Sequence, residues 1–322
     1  MERRKFIKGS AIIGATAVVP DLLKASSGLF ESGNERKVYK ILQTDKTMVG
    51  TLPVLRAFAG DHNDYVSPFV FFDEFGPVKV NANDKPLRVE AHPHAGIIPI
   101  TYFLEGSGHH RDSLNYDFQI SKGDFMMFNS GRGAIHMEET GQKLYDNGGI
   151  YHGFQIWLNS PAKYKFIDPT ANVYKSDVMD EIKEKDYSAR IVLGEMFKAK
   201  SKIETLFPVF YFHINMKAGC KLSIPVDETH NAFVYVIKGN IETTDRTAVQ
   251  TNQVVLYERG KNTINLFSAG DAEILMLGGK PHNEPVFAYG PFVMNSEEEI
   301  RKCYSDYRSG KMGNPELVNN SK

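Results

Sequence analysis

The sequence predicts an all-β protein made of two tandem jelly-roll barrels with a short C-terminal helix, and three observations predict it. From Lys37 onward the chain is a succession of short apolar or alternating runs, among them VSPFVFFDEFG, IIPITYFLEG, FVYVIKGN, QVVLYERG and AEILMLGG, separated by Gly, Asn and Asp. Such runs, rich in β-branched and aromatic residues and broken by turn formers, read as strands. Two segments share one plan: TYFLEGSGHHRDS at 101–113 and VYVIKGNIETTD at 234–245 each run strand, Gly turn, strand, and each is later followed by a Gly-led strand. That repetition predicts two copies of one barrel or sandwich. Helical spacing is confined to the end, where Ser296 precedes Glu297, Glu298, Glu299 and Ile300, with Tyr304 and Tyr307 following. A cap residue followed by acids suits the positive end of a helix.

Taken in order, the first thirty residues stand apart. Arg3, Arg4, Lys5 and Lys8 are followed by an apolar run from Ala11 to Val19 and then by small residues, the three parts of an export signal. Arg3 to Lys8 resembles the twin-arginine motif, with Glu2 where that motif usually has Ser or Thr. Residues 1–30 are therefore expected to be an export signal and the mature protein periplasmic or otherwise exported; without the signal it would stay in the cytoplasm. Residues 37–165 are assigned to a first, metal-binding barrel, and 166–186, polar and without apolar periodicity, to a linker. Residues 187–322 form a second barrel with the helix. A length of 322 suits about two domains at ~150 residues each. Lys plus Arg at 38 against Asp plus Glu at 39 leaves no basic excess to bind phosphates, so nucleic acid is not an expected partner. No apolar stretch after the signal is long enough to span a membrane, and the mature chain is expected to be a monomer. Two cysteines, Cys220 and Cys303, exclude a disulfide-dense scaffold and a thiolate zinc module but leave one isolated disulfide open.

Five of the ten histidines, His92, His94, His109, His110 and His136, fall within 45 residues. His92 and His94, at i and i+2, project from one face of a strand, and Pro93 stiffens the backbone between them. His136 and Glu138 repeat the spacing after the Gly131-Arg132-Gly133 turn, so a neighbouring strand could bring an imidazole and a carboxylate to the first pair. Three nitrogen donors and one oxygen donor suit Fe(II), Mn, Co, Ni, Cu or Zn, and a site with open positions could take water, substrate or dioxygen.

HPHAG at 92–96, TYFLEG at 101–106, HRDSL at 110–114, SGRGAIHMEE at 130–139, HGFQIWLN at 152–159 and GPFVMN at 290–295 together resemble the pirin family of bicupins, in order and in spacing. The resemblance runs from about Val66 to the C-terminal helix. It implies two cupin barrels and one mononuclear metal, usually iron, in the first, with His92, His94, His136 and Glu138 as ligands. The family's usual Arg after the second histidine and Glu three residues beyond are here Ala95 and Ile98, which predicts a less charged entrance to the site. His213, His230 and His282 form no H-x-H pair, so the second barrel is expected to be metal-free.

Other residues have simpler readings. Glu105 is a strand-end carboxylate before a turn. Of His109 and His110 at most one points inward, and the segment from His110 to Ser113 reads as a turn held by local hydrogen bonds, with orientation of a metal-bound imidazole as the alternative. Arg132 either attracts an anionic substrate or caps its loop. His152, Gln155 and Trp157 are assigned to core packing, as are Phe69, Phe71, Phe72, Phe75 and Tyr102, any of which facing the metal would make an apolar pocket for a planar ring. The resemblance implies quercetin 2,3-dioxygenase-like chemistry on a flavonol or other phenol, with Glu138 as the catalytic proton acceptor. The alternative is a non-catalytic metal-dependent binding or sensing protein.

Overall fold

The computed structural model describes residues 33–60 and 63–320, and the expected export signal lies outside the described residues. Among these, no helix is long and apolar enough to cross a membrane. The chain forms two barrels, each a seven-stranded sheet facing a four-stranded one. In the first barrel the large sheet runs Thr170–Tyr174, Phe125–Asn129, Ile97–Glu105, Gly149–Asn159, Phe69–Val80, Leu52–Ala59, Asp45–Val49. Its small sheet runs Arg88–His94, Ala134–Thr140, Ser107–Asp112, Asp117–Ser121. The second barrel repeats the plan: Val38–Gln43, Gln253–Tyr257, Asn231–Lys238, Ala272–Gly279, Val209–Met216, Tyr187–Leu193, Asp180–Lys183 in the large sheet. Lys221–Pro225, Thr263–Phe267, Asn240–Thr243 and Ala248–Gln250 make the small one.

Alternation along the strands decides what each face meets. On Phe69–Val80, Phe71, Asp73 and Phe75 face the interior of the first barrel, whereas Phe69, Phe72 and Glu74 face the second. The two large sheets thus pack back to back through Phe58, Phe69, Phe72, Tyr102 and Phe154 on one side and Tyr211, Phe233 and Tyr235 on the other. Phe69 and Phe233 meet edge to face at 5.3 Å between ring centroids, the arrangement aromatic quadrupoles favour. Burying each such ring stabilises by roughly 1.5–3 kcal/mol, which makes this joint the dominant contact between the barrels. A polar network crosses it: His152 donates from Nε2 to Glu74 Oε1 at 2.6 Å, and the Tyr235 hydroxyl donates to the other oxygen of Glu74.

The barrels exchange chain, and this corrects the boundaries drawn from the sequence. Val38–Gln43, assigned to the first barrel, pairs with Gln253–Tyr257 of the second. The segment assigned as a linker carries two strands, Thr170–Tyr174 on the first barrel's Phe125–Asn129 and Asp180–Lys183 on the second barrel's Tyr187–Leu193. An edge strand needs only one partner and one apolar face, so its composition is too polar to stand out. The tail returns in the other direction. The helix Glu297–Arg308 starts where expected, with Ser296 Oγ accepting from the Glu299 N–H at 3.2 Å. It packs with Met312 and Val318 against Ala95, Ile135 and Met137 of the first barrel, not the second. Cys303 is buried in this tail cluster and Cys220 in the second barrel's core, and both are free thiols.

Two residues latch the tail. Gly96 has φ +75°, and a Cβ there would stand 2.1 Å from the Val293 carbonyl oxygen. Only glycine lets the tail come this close. Lys165 is fully buried and donates from Nζ to the carbonyls of Gly96 and Val293 at 2.9 and 2.8 Å and to Asn159 Oδ1 at 2.6 Å. Burial among neutral acceptors pushes its ammonium pKa down to about 7.

Candidate metal centre

The register of the small sheet assembles the site. Ala134–Thr140 lies between Arg88–His94 and Ser107–Asp112, so His136 faces His92 on one side and Asp112 on the other. His94 pairs with Ala134, two residues along, and Glu138 with His110. Period-two alternation puts all these side chains on one face. A bulge between His136 and Glu138 shifts the register, so that Glu138 pairs with Val89, and bulges of this kind re-aim side chains beside functional sites. Candidate ligand atoms of His92, His94 and His136 lie within 4.8 Å of one another, with the Nε2 atoms of His92 and His136 3.1 Å apart. A second grouping within the same limit joins His110, His136 and Glu138. Glu138 therefore reaches the histidine trio through His136. Both groupings belong to the first barrel.

Hydrogen bonds fix which ring nitrogens are available. His92 Nδ1 meets the Glu90 carbonyl at 2.8 Å, and His94 Nδ1 meets the Pro291 carbonyl at 3.0 Å. A carbonyl only accepts, so both Nδ1 atoms carry the proton and both Nε2 atoms present lone pairs. Burial, reinforced by the neighbouring imidazoles, holds His94 and His136 well below the usual histidine pKa. Burial also lowers His92. All three are neutral near pH 7, as metal ligation requires. The Glu138 carboxylate is held from the opposite sheet: Thr101 Oγ1 donates to Oε1 at 2.9 Å, and Gln155 Nε2 donates to Oε1 and Oε2 at 3.1 and 2.8 Å. Thr101, Gln155, Asp73 and Arg56 form one row across four adjacent strands, ending in a two-pronged Arg56–Asp73 pair at 2.9 and 2.7 Å.

A cleft opens over the trio, walled by Leu52, Val54, Phe71, Phe75, Phe103 and Trp157, with Thr101, Gln155, Asp73, Arg88, Glu138 and Glu139 among its polar lining. Trp157 stacks on Phe71 at 4.2 Å and meets the His94 ring edge-on at 4.8 Å. Gln155 and Trp157, which sequence reasoning gave to core packing, thus line the site. Phe71 and Phe75 line it too, whereas Phe69, Phe72 and Tyr102 pack in the joint between barrels.

Several expectations change for identifiable reasons. Ala95 and Ile98 are 0% and 1% exposed, Ala95 beneath the tail and Ile98 in the joint between barrels. Neither lines the cleft, so their departure from the family pattern leaves the entrance untouched. His110, expected in a turn, belongs to the strand Ser107–Asp112 and is fully buried beside His136. His109 points the other way, to Asp117 at 2.7 Å. Arg132 pairs with Asp168 on the exposed surface, away from the cleft. Glu105 is an exposed partner of Lys122 at 2.5 Å. His152 sits in the joint, His213 bonds Glu273 Oε1 and the Tyr102 hydroxyl at 2.8 and 2.9 Å, and His282 bonds the Asn159 carbonyl at 2.8 Å.

The donor set fits a divalent metal. Three converging neutral imidazoles beside a carboxylate, with His92 and His94 oriented by hydrogen bonds from their remote nitrogens, match the ligands and supporting contacts of nitrogen–oxygen metal sites.

Comparison with known proteins agrees with this architecture. Residues 51–158 match the pirin domain and residues 211–313 the pirin C-terminal cupin domain. A pirin-like protein of Solanum lycopersicum is 31% identical over 251 residues, 77% of this chain and 82% of that one. Human pirin is 28% identical over 287 residues, 87% of this chain and 95% of its own. The crystal structure of a quercetin 2,3-dioxygenase from Acinetobacter baumannii superposes with a TM-score of 0.84 at 28% identity, covering 87% of this chain and 99% of that one. With both domains matched in order and a relative above 30% identity over most of its length, the chain belongs to the pirin family of two-barrel cupins.

Proposed function

We propose that the protein binds one divalent metal ion, iron(II) in its working form, through His92, His94, His136 and Glu138, and that it oxidises a flavonol or another phenol with dioxygen. The observation that carries this reading is the convergence of three neutral imidazoles beneath an aromatic cleft. Similarity to a quercetin 2,3-dioxygenase supports the substrate class. When bound, the metal would supply a Lewis-acid centre that binds phenolate oxygen and a redox partner for dioxygen. The chain's own residues do the rest. Phe71, Phe75, Phe103 and Trp157 seat a planar ring and exclude water from it. Glu138 is the catalytic proton acceptor: a carboxylate oxygen takes the hydroxyl proton of the substrate, while Thr101 and Gln155 keep that carboxylate aimed into the cleft. Gln155 lies in register beside Asp73 of the Arg56–Asp73 pair, and its amide nitrogen is directed to Thr101 and Glu138.

Protein reconstituted anaerobically with iron(II) is expected to consume dioxygen when quercetin is added, and His136→Ala to hold no iron and consume none. Iron-loaded wild type that consumes none with any phenol tried moves the reading to a metal-dependent binding protein. We also propose export by residues 1–30, acting as a monomer. A reporter fused after residue 40 should leave the cytoplasm, and should stay there when Arg3 and Arg4 are both replaced by Lys.

A further inference from the structure

Beside the trio lies a buried chain that the ligand set does not use. His110 and Asp112 are 0% and 6% exposed. Asp112 Oδ2 faces His110 Nε2 at 3.0 Å, and His110 Nδ1 faces His136 Nδ1 at 3.4 Å. The other oxygen of Asp112 accepts the backbone N–H groups of Leu114 and Tyr116 at 2.9 and 3.1 Å, which fixes the carboxylate in place. The His110 ring sits between Phe118 and Phe128, which leave it little freedom to turn.

With Asp112 as carboxylate and His110 carrying a single ring proton, the contacts of this chain admit one assignment. A carboxylate only accepts, so His110 Nε2 donates to Asp112 and His110 Nδ1 is left with a lone pair. Facing that lone pair, His136 Nδ1 donates, which frees its Nε2, 3.1 Å from His92 Nε2, to hold a metal shared with His92. We infer that Asp112 and His110 are positioning residues that set the tautomer of His136 and so make it a ligand. His136 has no carbonyl of the kind that serves His92 and His94, and the Asp112–His110 relay takes that place. This inference rests on the metal reading of the trio, and it adds residues to which that reading gives no part.

Asp112→Asn tests it with little change of shape. The Leu114 and Tyr116 N–H groups hold the amide oxygen where Oδ1 was, which turns the amide NH2 toward His110 Nε2. His110 must then accept at Nε2 and carry its proton on Nδ1, facing the Nδ1–H of His136. The expected results are a His110 proton on Nε2 in wild type and on Nδ1 in the variant, read by NMR of 15N-histidine protein. Zinc(II) affinity, read by chelator competition, should fall roughly 10–100-fold. His110→Phe, which keeps the aromatic packing and removes the acceptor, should also weaken zinc binding while thermal unfolding stays near wild type. Zinc affinity within twofold of wild type in both variants, or a His110 proton that stays on Nε2 in Asp112→Asn, overturns the inference. The His110 proton is also read in metal-free protein. The expected reversal between wild type and Asp112→Asn, with a wild type that takes up no zinc, therefore overturns the metal reading and leaves the Asp112–His110 hydrogen bond standing.

Discussion

The two barrels have the same strand order and opposite interiors. Lys221–Pro225 and Thr263–Phe267 occupy the places in the second small sheet that Arg88–His94 and Ala134–Thr140 occupy in the first. Leu222 pairs with Leu266 and Ile224 with Ile264, where the first barrel pairs His92 with His136 and His94 with Ala134. Across the interior, the first barrel offers Thr101, Gln155 and Asp73, and the second offers Val234, Val236, Phe212 and Ile274. One interior is a closed apolar core and the other an aromatic-walled cleft over a cluster of histidines. Topology therefore supplies a pair of facing sheets, and a handful of inward positions decide whether they enclose a site. The first barrel also receives a tail from the far end of the chain, which covers its histidine-bearing strands.

This contrast can be broken in graded ways. Giving the first barrel the second's residues, as His92→Leu with His94→Ile, should abolish stoichiometric zinc uptake while the circular dichroism spectrum of the β-fold persists. The reverse exchange, Leu222→His, Ile224→His and Leu266→His together, should destabilise by about 5 kcal/mol, because three imidazoles would be buried without acceptors. Urea unfolding would measure it, and a loss below about 1 kcal/mol would mean that the second interior tolerates polarity after all. Gly96→Ala drives a Cβ against the Val293 carbonyl at a positive φ and should cost about 3 kcal/mol. It should also weaken zinc binding, because the displaced tail carries the Pro291 carbonyl that orients His94.

The most gradual effect concerns pH. The folded-state pKa of Lys165 is lowered to about 7, below its unfolded value, so between there and about pH 10.4 the unfolded chain binds the extra proton. Stability should rise with pH across that window by at most about 1.4 kcal/mol per unit from this group. Lys165→Met should flatten that part of the profile, as urea midpoints at pH 7 and pH 9 would reveal.

The i, i+2 spacing of His92 with His94 and of His136 with Glu138 was legible because strand alternation is a local rule, and so was the capped helix at Ser296. His110 and Asp112 repeat that spacing and are the signal sequence reasoning could have weighed more. Gln155 gave no such signal: its role depends on Glu138, which reaches it from the opposite sheet. Nor did Pro291, whose carbonyl meets His94 across 197 residues.

By itself the sequence determined the two barrels, the family and the residue types able to ligate a metal, because periodicity, turn chemistry and donor spacing act over a few neighbouring residues. The tertiary structure decided which imidazole nitrogens are free, which aromatics wall the cleft, and that the barrels trade strands and a tail. Those depend on register between strands and on hydrogen bonds between distant segments, which no local pattern encodes.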